Sequence, residues 1–543
     1  MSSLLSQPVR AFGKFVGLFL LCFCLVIGCD RAQNSAPSST PDSNRVAFGM
    51  TGKPRTLDPA DSYEIIGLNL IYNLGDSLYT YEPGTTNLKP QLATAMPEIS
   101  EDGITYTIPL RDGVKFHDGT PFNAEAMAFS LQRFMENGGK PSFLLADAVE
   151  SVEATGDLEL TVKLKQPFSA FTALLAFTGT CAVSPQAYER GSGKFNPNQF
   201  VGTGPYKLAA LKSDSVRLDA FADYWGEKPK NEGVDIQIYG DNSANLFNAF
   251  RTQAVDIAYQ SLDPGQIQNL VEGAQKGQWL AIEAPGTAVN FMVLNRQQEP
   301  LDKREVRQAI ASLVDRNLIQ ERVFRGQADP LYSLIPTAFE ASQPTFKTAY
   351  GDANIEQAKK LLAQAGYSAT NPAVVQLWYP SSSTPRSLVA SAFKALAERE
   401  LGGALQFEPK VVEGATFFKN IADGIYPAAL SNWYPDFLDA DNYVQPLLGC
   451  AQGSEAEGCR EGGAKNQGSF YWSDRVNELI DRQRQEEDPA KRQEILVEIQ
   501  KNIADDVPYI PLWQNKEYLF VQKDIAGVAL NPSQTIPFRT IEK

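Results

Sequence analysis

Histidine is almost missing from this 543-residue chain, where His117 is the single instance. With one histidine and no Cys-x-x-Cys or His-x-x-x-His spacing, the sequence holds no recognisable ligand set for zinc or a related metal. A hydrolytic triad is equally short of parts. His117 stands in the tight turn Phe116-His117-Asp118-Gly119 with no nucleophile at a matching spacing, so it reads as structural. Ser391-Ala392-Phe393-Lys394 has the S-x-x-K form, but its Lys-Thr-Gly and Ser-Asp-Asn companions are absent and it falls within an amphipathic helical pattern, so it reads as chance. No phosphate-binding Gly-x-x-x-x-Gly-Lys-Ser/Thr loop occurs, so ATP is not consumed by this chain itself. The expectation is a protein that is not an enzyme and needs no metal or cofactor.

Positive charge is also scarce. Lys and Arg number 49 against 64 Asp and Glu, a formal charge of -15. Phosphate backbones and anionic membrane surfaces repel such a body, and with no basic patch nucleic-acid binding is set aside. Long apolar runs are missing too. The longest, Phe15 to Gly28, is well short of the ~20 residues a spanning helix needs. It follows Arg10 and Lys14 and precedes Cys29, which is the layout of an export signal. Removing residues 1–28 takes away two cations and leaves about -17. Asp30 to Asn44, rich in Ser, Pro and Asn, reads as a solvated tether.

What is present is a long chain of ordinary globular composition, 43% hydrophobic and 21% charged, too long for one small core. Val46 to Met50 reads as a first strand ended by Thr56-Leu57-Asp58-Pro59, with a weakly helical stretch near Ile65 to Leu78. Thr105 to Leu110 alternates faces, and Asp112-Gly113 and Asp118-Gly119 mark turns about Val114 and Phe116, which together predict a hairpin. Asn123 caps a helix carrying Met127, Ser130, Leu131 and Phe134. Val149 to Ala154 and Leu158 to Leu164 form a strand pair turning at Gly156-Asp157. Asp302 is placed to cap a helix whose stripe is Val306, Ala309, Ile310, Leu313 and Val314. Asn354 with Gln357 starts another that Gly366 stops, and Asp488-Pro489 opens a third. Strands and helices mix throughout, so the fold class is α/β or α+β.

Several segments, taken in order, carry a resemblance. They are Leu88-Lys89-Pro90-Gln91-Leu92-Ala93, Asp102 to Thr107, Leu110 to Pro121 (LRDGVKFHDGTP), Val201 to Tyr206 (VGTGPY), Arg304 to Arg316, Ala358 to Tyr367 and Trp433 to Tyr443 (WYPDFLDADNY). Together they resemble the extracellular solute-binding proteins that serve oligopeptide, dipeptide and nickel importers, from about Arg45 to Ile541. The resemblance implies a periplasmic-binding-protein-like α/β fold of two lobes with an extra inserted domain. On this chain that places a discontinuous first domain at 45–78, 199–283 and 508–543, an inserted second at 79–198 and a third at 284–507. Val26-Ile27-Gly28-Cys29 resembles a lipobox, which makes Cys29 the lipidated residue after residues 1–28 are cleaved and 29–44 the tether. The lipid is then the chain's only membrane attachment.

The resemblance also implies a role for Asp436. It stands in Trp433-Tyr434-Pro435-Asp436, where peptide-binding relatives keep the aspartate that pairs with a ligand's α-ammonium, and Trp433 and Tyr434 would wall the site. Asp436 also reads as an ordinary loop aspartate beside Asp439 and Asp441. Dipeptide-selective relatives have an arginine after a Trp-x-x-Pro-like strand end. Here Leu377-Trp378-Tyr379-Pro380 leads into Ser381 to Thr384 instead, leaving Arg386 out of register as the candidate. Cys450 and Cys459 are placed to close a short loop as a disulfide, and Cys181 is expected to be a buried free thiol. The expected partners of this monomer are a peptide and a membrane permease with its ATPase subunits. The alternatives are the same fold holding a metal chelate, opine or oligosaccharide and, more remotely, a secreted hydrolase.

Overall fold

The computed structural model describes residues 44–240, 242–259 and 262–543. The export signal, Cys29 and nearly all of the tether lie outside the described residues.

An eleven-stranded mixed sheet forms the spine. From one edge its order is Leu405–Val412, Ala373–Pro380, Ala428–Trp433, Leu280–Leu294, Tyr509–Val521, Ile257–Tyr259, Arg45–Met50, Gly233–Ile238, Ser215–Ala220 and Tyr206–Leu211, with Ala328–Pro330 attached to Tyr509–Val521. The two long central strands are antiparallel, and their register slips between Pro285 and Val289. They pass through two separate apolar cores. Leu519 and Val521 lie in a core with Val46, Phe48, Ile236 and Ile257, whereas Phe291, Met292, Ile510 and Leu512 lie in a second core with the helices of residues 304–504. Two cores strung on the same two strands, with an irregularity between them, make a hinge.

A third core surrounds a smaller antiparallel sheet of four strands, in the order Glu98–Ile99, Thr105–Pro109, Glu159–Leu164 and Val149–Gly156. Here one sequence expectation is corrected. Thr105–Pro109 does not form a hairpin with Val114 and Phe116, but pairs with Glu159–Leu164 and Glu98–Ile99. Residues 114–116 instead fold back on 120–122 about the Asp118-Gly119 turn, through an antiparallel bridge from Lys115 to Pro121 and backbone bonds from the Phe122 amide to the Val114 carbonyl and from the Phe116 amide to the Thr120 carbonyl. The nonlocal partner offers Thr105–Pro109 a longer ladder, and Val114 and Phe116 are buried in their own short turn.

Helix starts follow local chemistry. The Asn123 side chain accepts from the Ala126 amide ahead of Ala124–Glu136, the Asn354 side chain from the Gln357 amide ahead of Ile355–Gln364, and Asp488 from Ala490 and Lys491 ahead of Pro489–Asp506. Asp302 is not the cap expected for Arg304–Leu313, where Lys303 takes that position without a side-chain bond. The apolar stripe of that helix is fully buried.

The Val201 to Tyr206 turn is built by close approach. A Cβ on Gly204 would sit 2.4 Å from the Leu74 carbonyl carbon, so no other residue fits. His117 seals this turn, its Nε2 lying 3.0 Å from the Gly204 carbonyl oxygen, and burial pushes its pKa down to about 4. It is a neutral structural histidine at physiological pH. Cys450 and Cys459 are bonded across the hairpin of Cys450–Ser454 and Gly458–Gly462, and Cys181 is free and buried.

Candidate functional site

The Ala428–Trp433 strand leaves the large sheet at Trp433, and Pro435 turns the chain so that the next residues cross toward the smaller sheet. Three consecutive side chains or amides then meet the opposite lobe. The Tyr63 hydroxyl donates to Asp436 Oδ1 at 2.6 Å. Phe437 enters the apolar core of the four-stranded sheet, its ring 6.2 Å from that of Phe168. The Leu438 amide donates to the Tyr81 hydroxyl at 2.9 Å.

The loop is set from behind by Asn442, which is buried. Its Oδ1 accepts from the Asp436 amide at 2.8 Å and from Trp433 Nε1 at 3.2 Å, and its Nδ2 faces Asp436 Oδ2 at 3.4 Å. A single amide thus orients both the carboxylate and the indole. Desolvation pushes the Asp436 carboxyl up to about 6, with the Tyr63 and Asn442 bonds opposing the rise. Among the described residues no cation is paired with it. Burial and the neighbouring carboxylate raise the Tyr63 phenol, so its proton stays in place as a donor.

Asp436, Trp433 and Tyr434 line a cavity of about 680 Å³ between the lobes, faced from the other side by Tyr63, Tyr72 and Tyr81. Tyr434 is 41% exposed, which makes it a wall of the cavity and not part of the core. Trp433 does both, packing against the largest core while lining the cavity. Arg386, the fourth residue singled out by sequence, does not line this cavity. It sits behind Asn432, which does, donating to Asn432 Oδ1 at 2.5 Å and Asn290 Oδ1 at 3.2 Å. Its Nε and Asn290 Nδ2 are buried without hydrogen-bond partners, and burial holds its pKa below the usual arginine range. Arg386 therefore carries its positive charge on a half-buried side chain with no carboxylate against it.

Sequence reading missed Tyr63 and Asn442. Asn442 lies inside the Trp433 to Tyr443 motif, where its amide type was the available signal. Nothing near Tyr63 marks it.

A cleft between two lobes lined by aromatic walls, with a carboxylate that no cation pairs in its lining and two long strands shared by both lobes, is the arrangement of a ligand-capturing binding protein. The chain belongs to the bacterial extracellular solute-binding proteins, family 5, whose middle-region profile matches residues 87–455. It is 26% identical over 487 residues to the dipeptide-binding protein of Escherichia coli, covering 84% of this chain and 87% of that one. The fold is shared with the ABC transporter substrate-binding protein CtaP of Listeria monocytogenes, at TM-score 0.79 and 22% identity over 92% of this chain and 99% of that one. It is also shared with the ABC transporter-associated binding protein DppA of Helicobacter pylori, solved with the peptide STSA, at TM-score 0.72 and 23% identity over 92% and 97% of the two chains. Among the described residues no helix is long and apolar enough to cross a membrane.

Proposed function

We propose that this chain is the solute-binding component of an ABC importer and that it captures extended peptides by their α-ammonium group without transforming them. One observation carries the reading: Asp436 is a desolvated carboxylate with two hydrogen bonds and no cation. A buried charge left unpaired is costly, and an ammonium placed in the adjoining cavity removes that cost. Two of the relatives are named for dipeptide binding or were solved with a peptide, which supports the same cargo. The Arg386 guanidinium, lacking a carboxylate, stands behind Asn432 and adds positive potential to that side of the cleft, which suits a ligand with charges at both ends. Aromatic walls supply contact area that tolerates many side chains.

Closure about the Leu280–Leu294 and Tyr509–Val521 strands would bury the ligand and present a loaded shape to a permease whose ATPase subunits supply the energy. Export, lipidation at Cys29 and attachment of a monomer to the cell membrane by that lipid complete the reading.

The test is native mass spectrometry of the purified protein with a peptide library, alongside Asp436→Ala. Peptides retained by the parent and lost by the variant, with affinity reduced about 30-fold or more, support amine capture. A co-purifying ligand without an α-amine, or retention indifferent to the substitution, moves the cargo to another solute class such as a metal chelate, opine or oligosaccharide.

A further inference from the structure

Asp436 borders two chambers. Beside the 680 Å³ cavity a second of about 580 Å³ adjoins the same loop, and Trp433, Asp436, Phe437 and Gln467 line both. An ammonium seated on Asp436 belongs to a carbon with two further substituents. One of them, the peptide backbone, has the first chamber; the second chamber is open to the other.

The walls of the second chamber differ from the aromatic first. Its charged groups are Asp147, Lys165, Asp441, Asp481 and Arg484, beside the shared Asp436. Asp147, Lys165 and Asp481 are exposed at its rim, where solvent screens them, and the Lys165 ammonium is engaged by the Ala146 carbonyl at 2.6 Å. Asp441 is buried behind the wall and bonded by Gln483. Arg484 is different. Its guanidinium lies 4.1 Å over the Phe168 ring. Its Nε faces Asp441 Oδ1 at 3.6 Å, an ion pair with that buried carboxylate, but is buried without a hydrogen bond, so the pair leaves the donors of the guanidinium unused. No acceptor within the described residues takes any of its donors, although a guanidinium offers five in a rigid fork.

We infer that the second chamber receives the side chain of the ligand's first residue and that Arg484 makes the protein select an acidic one. This rests on amine capture at Asp436. A carboxylate meets the free edge of the guanidinium with two parallel bonds, a geometry unavailable to a neutral amide or an ammonium. The chamber is much larger than one glutamyl side chain, so size does not choose; the fork does.

The experiment is isothermal titration with Glu-Ala-Ala, Gln-Ala-Ala and Lys-Ala-Ala at pH 7.5, on the full protein, Arg484→Gln, Arg484→Lys and Asp436→Asn, each first checked for an unchanged melting curve. The expected result is Glu-Ala-Ala bound about tenfold tighter than Gln-Ala-Ala, and Lys-Ala-Ala weakest. Arg484→Gln brings the first two to parity while changing Gln-Ala-Ala less than about twofold, and Arg484→Lys restores part of the preference. Equal affinities in the parent, or a preference that survives Arg484→Gln, overturn the assignment while dependence on Asp436 stands. If no tripeptide binds, or if Asp436→Asn leaves binding intact, amine capture itself has failed and the chamber assignment with it.

Discussion

Desolvation pushes the Asp436 carboxyl up to about 6, against an ordinary 3.8. The sign of the pH effect follows. The folded state binds the extra proton between about pH 4 and pH 6, so this group's contribution to stability falls as pH rises through that window. An ammonium ligand pairs only with the ionised form. Affinity for a peptide such as tri-alanine is therefore expected to weaken steadily below about pH 6, and its stabilisation against heat to be larger at pH 7 than at pH 5. Calorimetric titration and melting curves across pH 5 to 7.5 check this, and a flat profile would remove Asp436 from the site. Asp436, Trp433 and Tyr434 were legible in the sequence because they share one contiguous motif. Tyr63 was not, because its bond to Asp436 joins positions 373 residues apart and no local pattern encodes such a meeting.

Elements meet through a few buried ionic contacts as well as apolar cores. Arg133, on the Ala124–Glu136 helix, makes two bonds at 2.8 and 2.6 Å to Asp58, in the turn after the first strand, and the side chains are 1% and 0% exposed. Arg133→Met leaves that carboxylate buried without its cation, held only by the Ala60 and Asn196 amides, and is expected to cost about 3–5 kcal/mol. Asp58→Asn in the same chain should restore part of the loss, and urea denaturation measures both. Helix boundaries were readable where the signal is local, as at Asn123, Asn354 and Asp488. The Asp118-Gly119 turn was readable for the same reason, but Thr105–Pro109 does not join it, because strand partners are chosen across the chain and Glu159–Leu164 offers a better ladder than the adjacent residues. Asp302 failed as a cap for a smaller reason: the helix begins one residue later than its side chain would require.

At the scale of the molecule, Phe437 is the side chain that belongs to one lobe by sequence and to the other by packing. It is 6% exposed only because the lobes are together. Truncating it removes contacts made on closure and leaves each lobe's own core intact, so Phe437→Ala shifts the balance toward the open form. The expected outcome is an increased radius of gyration without ligand in small-angle scattering, and peptide affinity about tenfold weaker, with little change in the melting temperature of the free protein. A melting temperature that drops sharply would instead make Phe437 an ordinary core residue. The α/β class and two-lobed plan were legible from mixed periodicity and motif order. The hinge position was not read, although each long strand carries a break there, Gln514 to Glu517 in one and Pro285 to Thr287 in the other, because only the pairing shows that the apolar halves on either side belong to different cores.

The Tyr63 hydroxyl has a consequence for unloading. When cargo departs, Asp436 is not left bare: a neutral donor already stands at 2.6 Å from one of its oxygens. The departing ammonium hands its carboxylate to a phenol, which lowers the penalty of the vacated state without supplying a competing charge. A protein built only for tight retention gains nothing from such a placeholder. One that must surrender each molecule to a membrane partner, then return for the next, does.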